Sequence, residues 1–287
     1  MRKVGIVGLG IMGSAYAKNL LDADVAVEGG DPSESARCRL EDMGGAAHGA
    51  AGRWLADCEL VILALLSPAA LREVAGILSK VLRPGQVVLE TGTFSLADKF
   101  GARDTLAKAN VHLLDCPVSG TGAQAAAGDL VMMASGASDA IERAKPYMAL
   151  FTKKVIEAGE FGSGSRLKYV ANHAVAIHNT VAAETLAYAD ALGLDRQLVY
   201  DMLTSGAGQS KMSDLRMPLM MSGKYEPPTA SLKMFAKDIS VIAENISGLG
   251  LTLPLFNSCA GLYEMASTSL PENHDAAAVF EVYRAKS

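Results

Sequence analysis

Short apolar segments recur through the first half of the chain, separated by stretches in which apolar residues return at helical spacing. The apolar segments predict strands over 4–9, 25–29, 60–65, 87–90, 111–115, 130–134 and 154–158. Several are apolar at consecutive positions, as strands covered on both faces of a sheet are. The intervening patterns predict helices, for example over 13–21 and 69–82. This alternation predicts an α/β domain with a Rossmann-type, doubly wound and mostly parallel sheet.

The pattern changes near residue 160. Residues 161–165 (FGSGS) predict a loop, after which apolar residues recur at helical spacing from Leu167 to Leu186, until Gly193 supplies a stop. Further helical patterns occupy 196–205, 211–222, 230–247 and 253–267, and no convincing strand follows Ala158. We therefore expect a first domain over residues 1–162 and an all-α second domain over residues 163–287.

A glycine-rich turn follows the first predicted strand. Gly8 permits a tight turn, Gly10 lets the backbone approach a pyrophosphate, and Gly13 lets the helix pack closely. Asp31 ends the second strand, where a carboxylate accepts hydrogen bonds from the ribose of NAD and repels the 2′-phosphate of NADP. We expect dinucleotide binding with NAD preferred. The alternatives are a turn that serves packing alone and an Asp31 that only begins an Asp-Pro-Ser turn.

Composition narrows the class of protein. The 287 residues are 50% hydrophobic with a net charge of −5, which predicts one or two domains with a sizeable core and disfavours a nucleic-acid partner. The four cysteines lie far apart, so we expect neither a disulfide framework nor a metal site. No apolar stretch approaches the ~20 residues of a membrane span, and the apolar N-terminal run is interpreted as a strand rather than a secretory signal. These features predict a cytoplasmic protein without a membrane partner.

Four sequence features, the glycine-rich turn among them, occur together and in a fixed order. They are GLGIMG (8–13) with Asn19-Leu20, DCPVSG (115–120) continuing to Leu130, GSGSRLK (162–168) with Asn172, and Lys237-Asp238. Together they resemble the β-hydroxyacid dehydrogenases, a family that includes 3-hydroxyisobutyrate dehydrogenase, tartronate semialdehyde reductase and L-threonate dehydrogenase. The larger 6-phosphogluconate dehydrogenase is a relative of that family. The resemblance covers nearly the whole chain.

The resemblance implies a role for each matching position. Lys168 is the implied general acid/base and Asn172 helps to hold the substrate. The Ser119 side chain, with the backbone of Gly120 and Thr121, is implied to bind the substrate carboxylate, although the family usually has glycine where Thr121 stands. A homodimer or homotetramer is also implied. The implied cofactor contacts are Gly8, Leu9, Gly10, Ile11, Met12, Gly13, Asp31, Leu65, Leu66, Thr93, Lys237 and Asp238.

The chemistry of these side chains agrees with that reading. Oxidising a β-hydroxy acid requires a base at the hydroxyl while hydride leaves the same carbon. Lys168 and Asn172, four residues apart, share one helix face. Taken alone, Lys168 and Lys237 would be interpreted as solvated surface lysines. We expect NAD-dependent oxidation of a small β-hydroxy acid, or the reverse reduction. The stretch 205–225 is rich in polar residues, which is closer to the threonate-dehydrogenase side of the family.

Three alternatives remain open at this point. The first is a short 6-phosphogluconate-type dehydrogenase, for which Lys211 and Arg216 are the obvious phosphate-binding candidates. The second is an imine reductase, although those enzymes generally lack a lysine at the position of Lys168. The third is a non-catalytic, nucleotide-sensing protein, which would be expected to have lost that lysine.

Overall fold

A nine-stranded sheet runs through the first of two compact units in the computed structural model, which describes residues 2–284. The units are Met1–Lys168 and Tyr169–Ser287. The strands are β1 (Lys3–Val7), β2 (Ala26–Gly30), β3 (Ala46–His48), β4 (Leu60–Leu63), β5 (Val87–Glu90), β6 (His112–Asp115), β7 (Val118–Ser119), β8 (Leu130–Ser135) and β9 (Thr152–Gly159). They lie in the order β3-β2-β1-β4-β5-β6-β8-β7, with β9 paired to β8.

The sheet is mostly parallel, as predicted. Strands β1 to β6 pair in parallel, β8 runs antiparallel to β6 and β7, and β9 is parallel to β8. Strands β3 and β7 are not among the predicted strands, because three and two residues are too few to form an apolar run.

Helices connect most of these strands. They are α1 (Ile11–Asp22), α2 (Glu34–Asp42), α3 (Pro68–Val81), α4 (Leu96–Ala107), α5 (Gly122–Ala126) and α6 (Ser138–Phe151), with a 3-10 helix at Arg53–Asp57. Ser33, Ser67 and Ser95 begin α2, α3 and α4, and each side chain accepts a backbone N–H from the first helical turn. These caps set where the helices start.

Consecutive residues of a strand pack into different cores, because side chains alternate across the sheet. On β4, Ile62 belongs to the core beneath α1 and α6, whereas Val61 and Leu63 belong to the core beneath α3 and α4. All three are fully buried. This explains why the strand is apolar without interruption.

The second unit is helical, as predicted. Its helices are α7 (Ser163–Ala191), which begins within the first unit, α8 (Arg196–Thr204), α9 (Lys211–Ser222), α10 (Leu232–Gly248), α11 (Pro254–Ser269) and α12 (Phe280–Arg284), with a 3-10 helix at Ala276–Val279. Within the described residues, no strand follows Gly159; the segment contains one isolated bridge, between Ser231 and Asp275. The predicted domain boundary at residues 162 and 163 stays a prediction.

The predicted loop over 161–165 is right for Phe161 and Gly162 and wrong for the last three residues, because α7 begins at Ser163. Two glycines and two serines give no local signal for a helix. The first turn instead receives acceptors from the sheet: the Gly164 N–H donates to Ser135 Oγ (3.0 Å) and the Ser165 N–H donates to Asp115 Oδ2 (2.7 Å). Distant side chains thereby satisfy the N–H groups that a helix start leaves open.

Between residues 2 and 284, none of the helices has both the length and the apolar character that crossing a bilayer requires.

Candidate functional site

The glycine turn lies between β1 and α1, and its three glycines serve two purposes. Gly8 has a φ of +94°, and a Cβ there would lie 2.3 Å from the Ala64 carbonyl oxygen. A Cβ on Gly13 would lie 1.8 Å from the Gly8 carbonyl oxygen. Both glycines are therefore required by packing. Gly10 has open space around it, so its missing side chain leaves room for a ligand.

The start of α1 fits a phosphate group. Gly10 is the N-cap residue, directly before the helix, and no side chain caps the helix there. The N–H groups of a helix start carry partial positive charge and bind anions. The open space at Gly10 and the uncapped helix start together fit the pyrophosphate of a dinucleotide.

Asp31 follows β2 and holds the glycine turn. Its Oδ2 accepts the Leu9 N–H at 2.7 Å, and its Oδ1 accepts the Ser33 N–H at 2.8 Å. The same carboxylate therefore organises its own turn and contacts the glycine loop, and its contact with a ribose stays a prediction. The Arg37 guanidinium donates to the carbonyl oxygens of Asp31 and Pro32, both at 2.9 Å.

Other predicted cofactor contacts lie at the same carboxyl edge of the sheet. Leu65 and Leu66 follow β4, and Thr93 follows β5. Leu66 is 76% exposed, Leu65 is half-buried and Thr93 is buried. Because the carboxyl ends of β1, β2, β4 and β5 meet at one edge, the fold brings these residues to the side of the glycine turn.

The predicted carboxylate-binding segment has a more constrained backbone than its sequence indicates. Ser119 ends β7 and is half-buried, and Gly120 has a φ of +144°. Thr121 caps α5: its Oγ1 accepts the Gln124 N–H, and its own N–H donates to Gln124 Oε1 at 3.0 Å. The Thr121 amide would therefore have to exchange this partner before it could bind a substrate carboxylate.

Asn172, Lys237 and Asp238 form one hydrogen-bonded group within the second unit. Asn172 Nδ2 donates to Asp238 Oδ2 at 2.9 Å, and Lys237 Nζ lies 2.8 Å from Asp238 Oδ1. Asn172 and Asp238 are buried, at 6% and 8% exposed. The structure thus joins residues that are far apart in the sequence, on α7 and α10. Lys168 precedes Asn172 by one turn of α7 and is half-buried.

One buried cation is not among the residues predicted from the sequence. Lys99, on α4, is fully buried between Glu90 and Asp115. A signal was present, because Lys99 shares the helical spacing of Ala102 and Leu106, which form the buried face of α4. A lysine on an apolar face must have a buried partner.

Among residues 2–284, no group of three or more His, Cys, Asp or Glu side chains is arranged to hold a metal ion. His173, on α7, stacks against Phe256 with ring centroids 5.0 Å apart, which is a packing role.

Two family models and a relative of known name match nearly the whole chain. The family model of the NAD binding domain of 6-phosphogluconate dehydrogenase matches residues 3–159. The model described as NAD-binding of NADP-dependent 3-hydroxyisobutyrate dehydrogenase matches residues 162–283. An L-threonate dehydrogenase of Cupriavidus necator is 30% identical over 98% of this chain and 96% of its own length. The chain belongs to the β-hydroxyacid dehydrogenase family.

Solved structures of proteins named for the same family share its fold. The crystal structure of 3-hydroxyisobutyrate dehydrogenase from Salmonella typhimurium has a TM-score of 0.89 at 30% identity, covering 98% of this chain and 100% of that chain. Mycobacterium tuberculosis 3-hydroxyisobutyrate dehydrogenase with L-serine has a TM-score of 0.91 at 26% identity, covering 99% of both chains. The family resemblance and the predicted fold class are confirmed, and residues 3–159 form an NAD(P)-binding domain.

Proposed function

We propose that this member of the β-hydroxyacid dehydrogenase family oxidises a small β-hydroxy acid with NAD, or reduces the corresponding aldehyde or keto acid. One observation carries the proposal: the glycine turn, with its uncapped helix start and open space at Gly10, occurs in a chain that also has Lys168 at the family's motif position. A nucleotide sensor has no need of that lysine. A 6-phosphogluconate-type site would draw on Arg216, but Arg216 is buried and paired with Asp275.

The proposed mechanism assigns the proton to Lys168. Bound nicotinamide supplies the acceptor for the hydride that leaves the carbinol carbon. Lys168 Nζ, in its neutral form, takes the hydroxyl proton, and the ammonium returns it when the reaction runs as a reduction. Ser119 Oγ and the Gly120 N–H bind the substrate carboxylate, and Asn172 orients the substrate through its amide. The bond from Asn172 to Asp238 fixes the plane of that amide.

The NAD preference is part of the proposal and is supported by Asp31. Two backbone N–H groups hold this carboxylate directly after β2, and a carboxylate held there would accept the ribose hydroxyls and repel a 2′-phosphate. For the substrate, the polar stretch 205–225 favours a hydroxy acid with further hydroxyl groups. We therefore propose an acid of the L-threonate type.

Initial rates of NADH formation test the proposal. The panel is L-threonate, 3-hydroxyisobutyrate, glycerate, L-serine and 6-phosphogluconate, each with NAD and NADP. Lys168→Ala is expected to lower kcat by about 10²–10⁴-fold, the usual contribution of a general base, while NAD affinity is kept. Lys153→Ala, which removes a lysine whose side chain is 69% exposed, is the matched control. Full activity of Lys168→Ala would contradict the assignment.

We also propose that the chain forms a homodimer or homotetramer and works in the cytoplasm. Val170, Val181 and Tyr188 of α7 are 70%, 53% and 66% exposed, which leaves apolar surface for a second copy. The unpaired cysteines support a reducing compartment. Light scattering on purified protein is expected to give two or four times the 29.9 kDa chain mass. A mass of one chain at micromolar concentration would contradict the assembly.

A further inference from the structure

Three charged side chains are fully buried together in the first unit. Glu90 ends β5, Asp115 ends β6 and Lys99 lies on α4, and each is 0% exposed. Lys99 Nζ lies 2.6 Å from Glu90 Oε2, 2.6 Å from Asp115 Oδ1 and 2.7 Å from the Gly92 carbonyl oxygen. The contacts to Asp115 and Gly92 are hydrogen bonds, and the contact to Glu90 is an ion pair.

Each acceptor belongs to a segment that carries predicted site residues. Gly92 directly precedes Thr93, and its N–H donates to Glu90 Oε1 at 2.7 Å. Asp115 begins the segment that reaches Ser119. The Asp115 carboxylate also accepts from the start of α7, through the Ser165 N–H at 2.7 Å and the Ser165 Oγ–H at 2.8 Å.

The first turn of α7 has little freedom at this point. Ser135 Oγ accepts the Gly164 N–H at 3.0 Å and lies 3.2 Å from Asp115 Oδ2. A Cβ on Gly164 would lie 2.4 Å from the Met133 carbonyl oxygen, so the helix backbone is pressed against β8. Lys168 follows Ser165 by three residues, about 4.5 Å along the axis at ~1.5 Å per residue. A shift of the first turn would therefore move Lys168 as well.

The energetics indicate that the cluster fixes positions rather than adding stability. Burial alone lowers the pKa of the Lys99 amine, but Glu90 and Asp115 outweigh it, so that this pKa lies above its ordinary value. Burial raises the pKa of the Glu90 carboxyl, and Lys99 offsets only part of that effect. Apolar side chains of similar volume in the same three positions would avoid the free-energy cost of removing these charges from water. They would not supply bonds with defined directions to three separate segments.

We propose that Lys99 and Asp115 are positioning residues, which hold the Thr93 turn, the Ser119 segment and the first turn of α7 in the arrangement that lets Lys168 act. This inference rests on the proposed function of Lys168. Neither residue touches substrate in this role.

Variants at the start of α7 test the inference. Lys99→Met would leave two buried carboxylates without their cation, and we expect it to unfold the first unit. Ser165→Ala is milder, because it removes only the hydroxyl bond to Asp115. Ser163→Ala, two residues earlier in the same turn, lies outside the cluster and is the matched control.

Amide hydrogen exchange measures the anchoring without any substrate. Exchange of the peptide over 163–168 is expected to be about tenfold faster in Ser165→Ala than in the unaltered protein, the effect of losing one hydrogen bond to a charged group. Ser163→Ala should match the unaltered protein, and exchange over β1 should be the same in all three. Equal exchange of 163–168 in all three would overturn the inference.

Kinetics on the substrate found in the panel measure the positioning. We expect kcat of Ser165→Ala to fall about 10–100-fold, as a displacement of about 1 Å would cause, with KM and NAD affinity within about twofold. The isotope effect on kcat with deuterium at the carbinol carbon should rise, because hydride transfer becomes slower relative to product release. A smaller folded fraction would lower the apparent kcat without changing the isotope effect.

The remaining outcomes separate the two proposals. Faster exchange with unchanged kcat would overturn the positioning role while leaving the proposed function intact. If the unaltered protein oxidises no acid in the panel, the proposed function fails and the positioning role falls with it. In that case the exchange experiment still decides whether the cluster anchors α7.

Discussion

Asp31 is the residue to which the proposed function assigns the choice of cofactor. Its carboxylate holds the Leu9 amide of the glycine turn, and in the proposed function it also accepts the ribose hydroxyls of NAD. Losing one hydrogen bond to a charged group costs about 1.5–3 kcal/mol of free energy. Removing this charge should therefore weaken NAD use and relieve the repulsion of NADP.

Asp31→Ser is expected to lower kcat/KM for NAD by about 10–100-fold while kcat/KM for NADP falls less or rises. The measurement is a pair of initial-rate series with the two cofactors at one substrate concentration. Asp22→Ser, at an exposed aspartate that ends α1, should leave both series unchanged. An unchanged cofactor ratio in Asp31→Ser would remove Asp31 from the specificity argument.

At the scale of single residues, the sequence predicts those that belong to a motif but not those that hold a motif in place. The positions of Gly8, Gly13 and Asp31 followed from spacing and strand context. The helical spacing of Lys99 marks it as buried but does not identify its partners, because Glu90 and Asp115 end β5 and β6 and meet α4 only in the folded domain. Such long-range pairing carries no local sequence signal.

Asp275 shows how one carboxylate can connect several elements of the second unit. It precedes the 3-10 helix at Ala276–Val279, whose Ala277 N–H it accepts at 2.9 Å, and it pairs with Arg216 of α9. It also accepts the N–H and the Oγ–H of Thr229, each at 2.8 Å. Burial tends to raise the pKa of Asp275, but Arg216 and these donors outweigh it, so that this pKa lies below its ordinary value of 3.8.

Asp275→Asn should lower the free energy of unfolding at pH 7 by about 3–5 kcal/mol, because it leaves the Arg216 guanidinium buried without its counter-charge. Since the folded carboxyl has the lower pKa, its stabilisation is complete above the unfolded value and is lost as pH falls through the folded one. The difference between the two proteins should therefore shrink below about pH 3.8. Urea titrations at several pH values measure it, and a difference independent of pH would contradict the assignment.

Whole elements were predicted where the apolar pattern is long. The sequence predicts a helix over 211–222, and α9 lies at Lys211–Ser222. It predicts another over 230–247, and α10 lies at Leu232–Gly248. Strand β7 and the start of α7 were not predicted. Both depend on partners elsewhere in the sheet, since two residues or a glycine-serine run cannot specify an element alone.

The molecule as a whole should present one reactive thiol. Cys38, on α2, is exposed, whereas Cys58, Cys116 and Cys259 are buried. Burial raises the pKa of the Cys58 thiol to about 12 and also raises the pKa of the other two. A buried thiol that stays protonated is a poor nucleophile.

Native protein treated with iodoacetamide at pH 8 should therefore gain one label, at Cys38, and denatured protein should gain four. Intact mass and peptide mapping measure both. Cys38→Ser should gain none in the native state. Rapid labelling of Cys116 in the native protein would contradict the burial of this residue directly after β6.

The order of strands in the sheet also has a consequence during synthesis. β1 lies between β2 and β4, so its second edge stays open until about fifty further residues have left the ribosome. At roughly 5–20 residues per second this wait is roughly 3–10 s, the longest that any parallel neighbour in the sheet imposes. An open strand edge is a template for pairing with another chain. The nascent polypeptide thus has this template for aggregation throughout translation of the segment between β1 and β4.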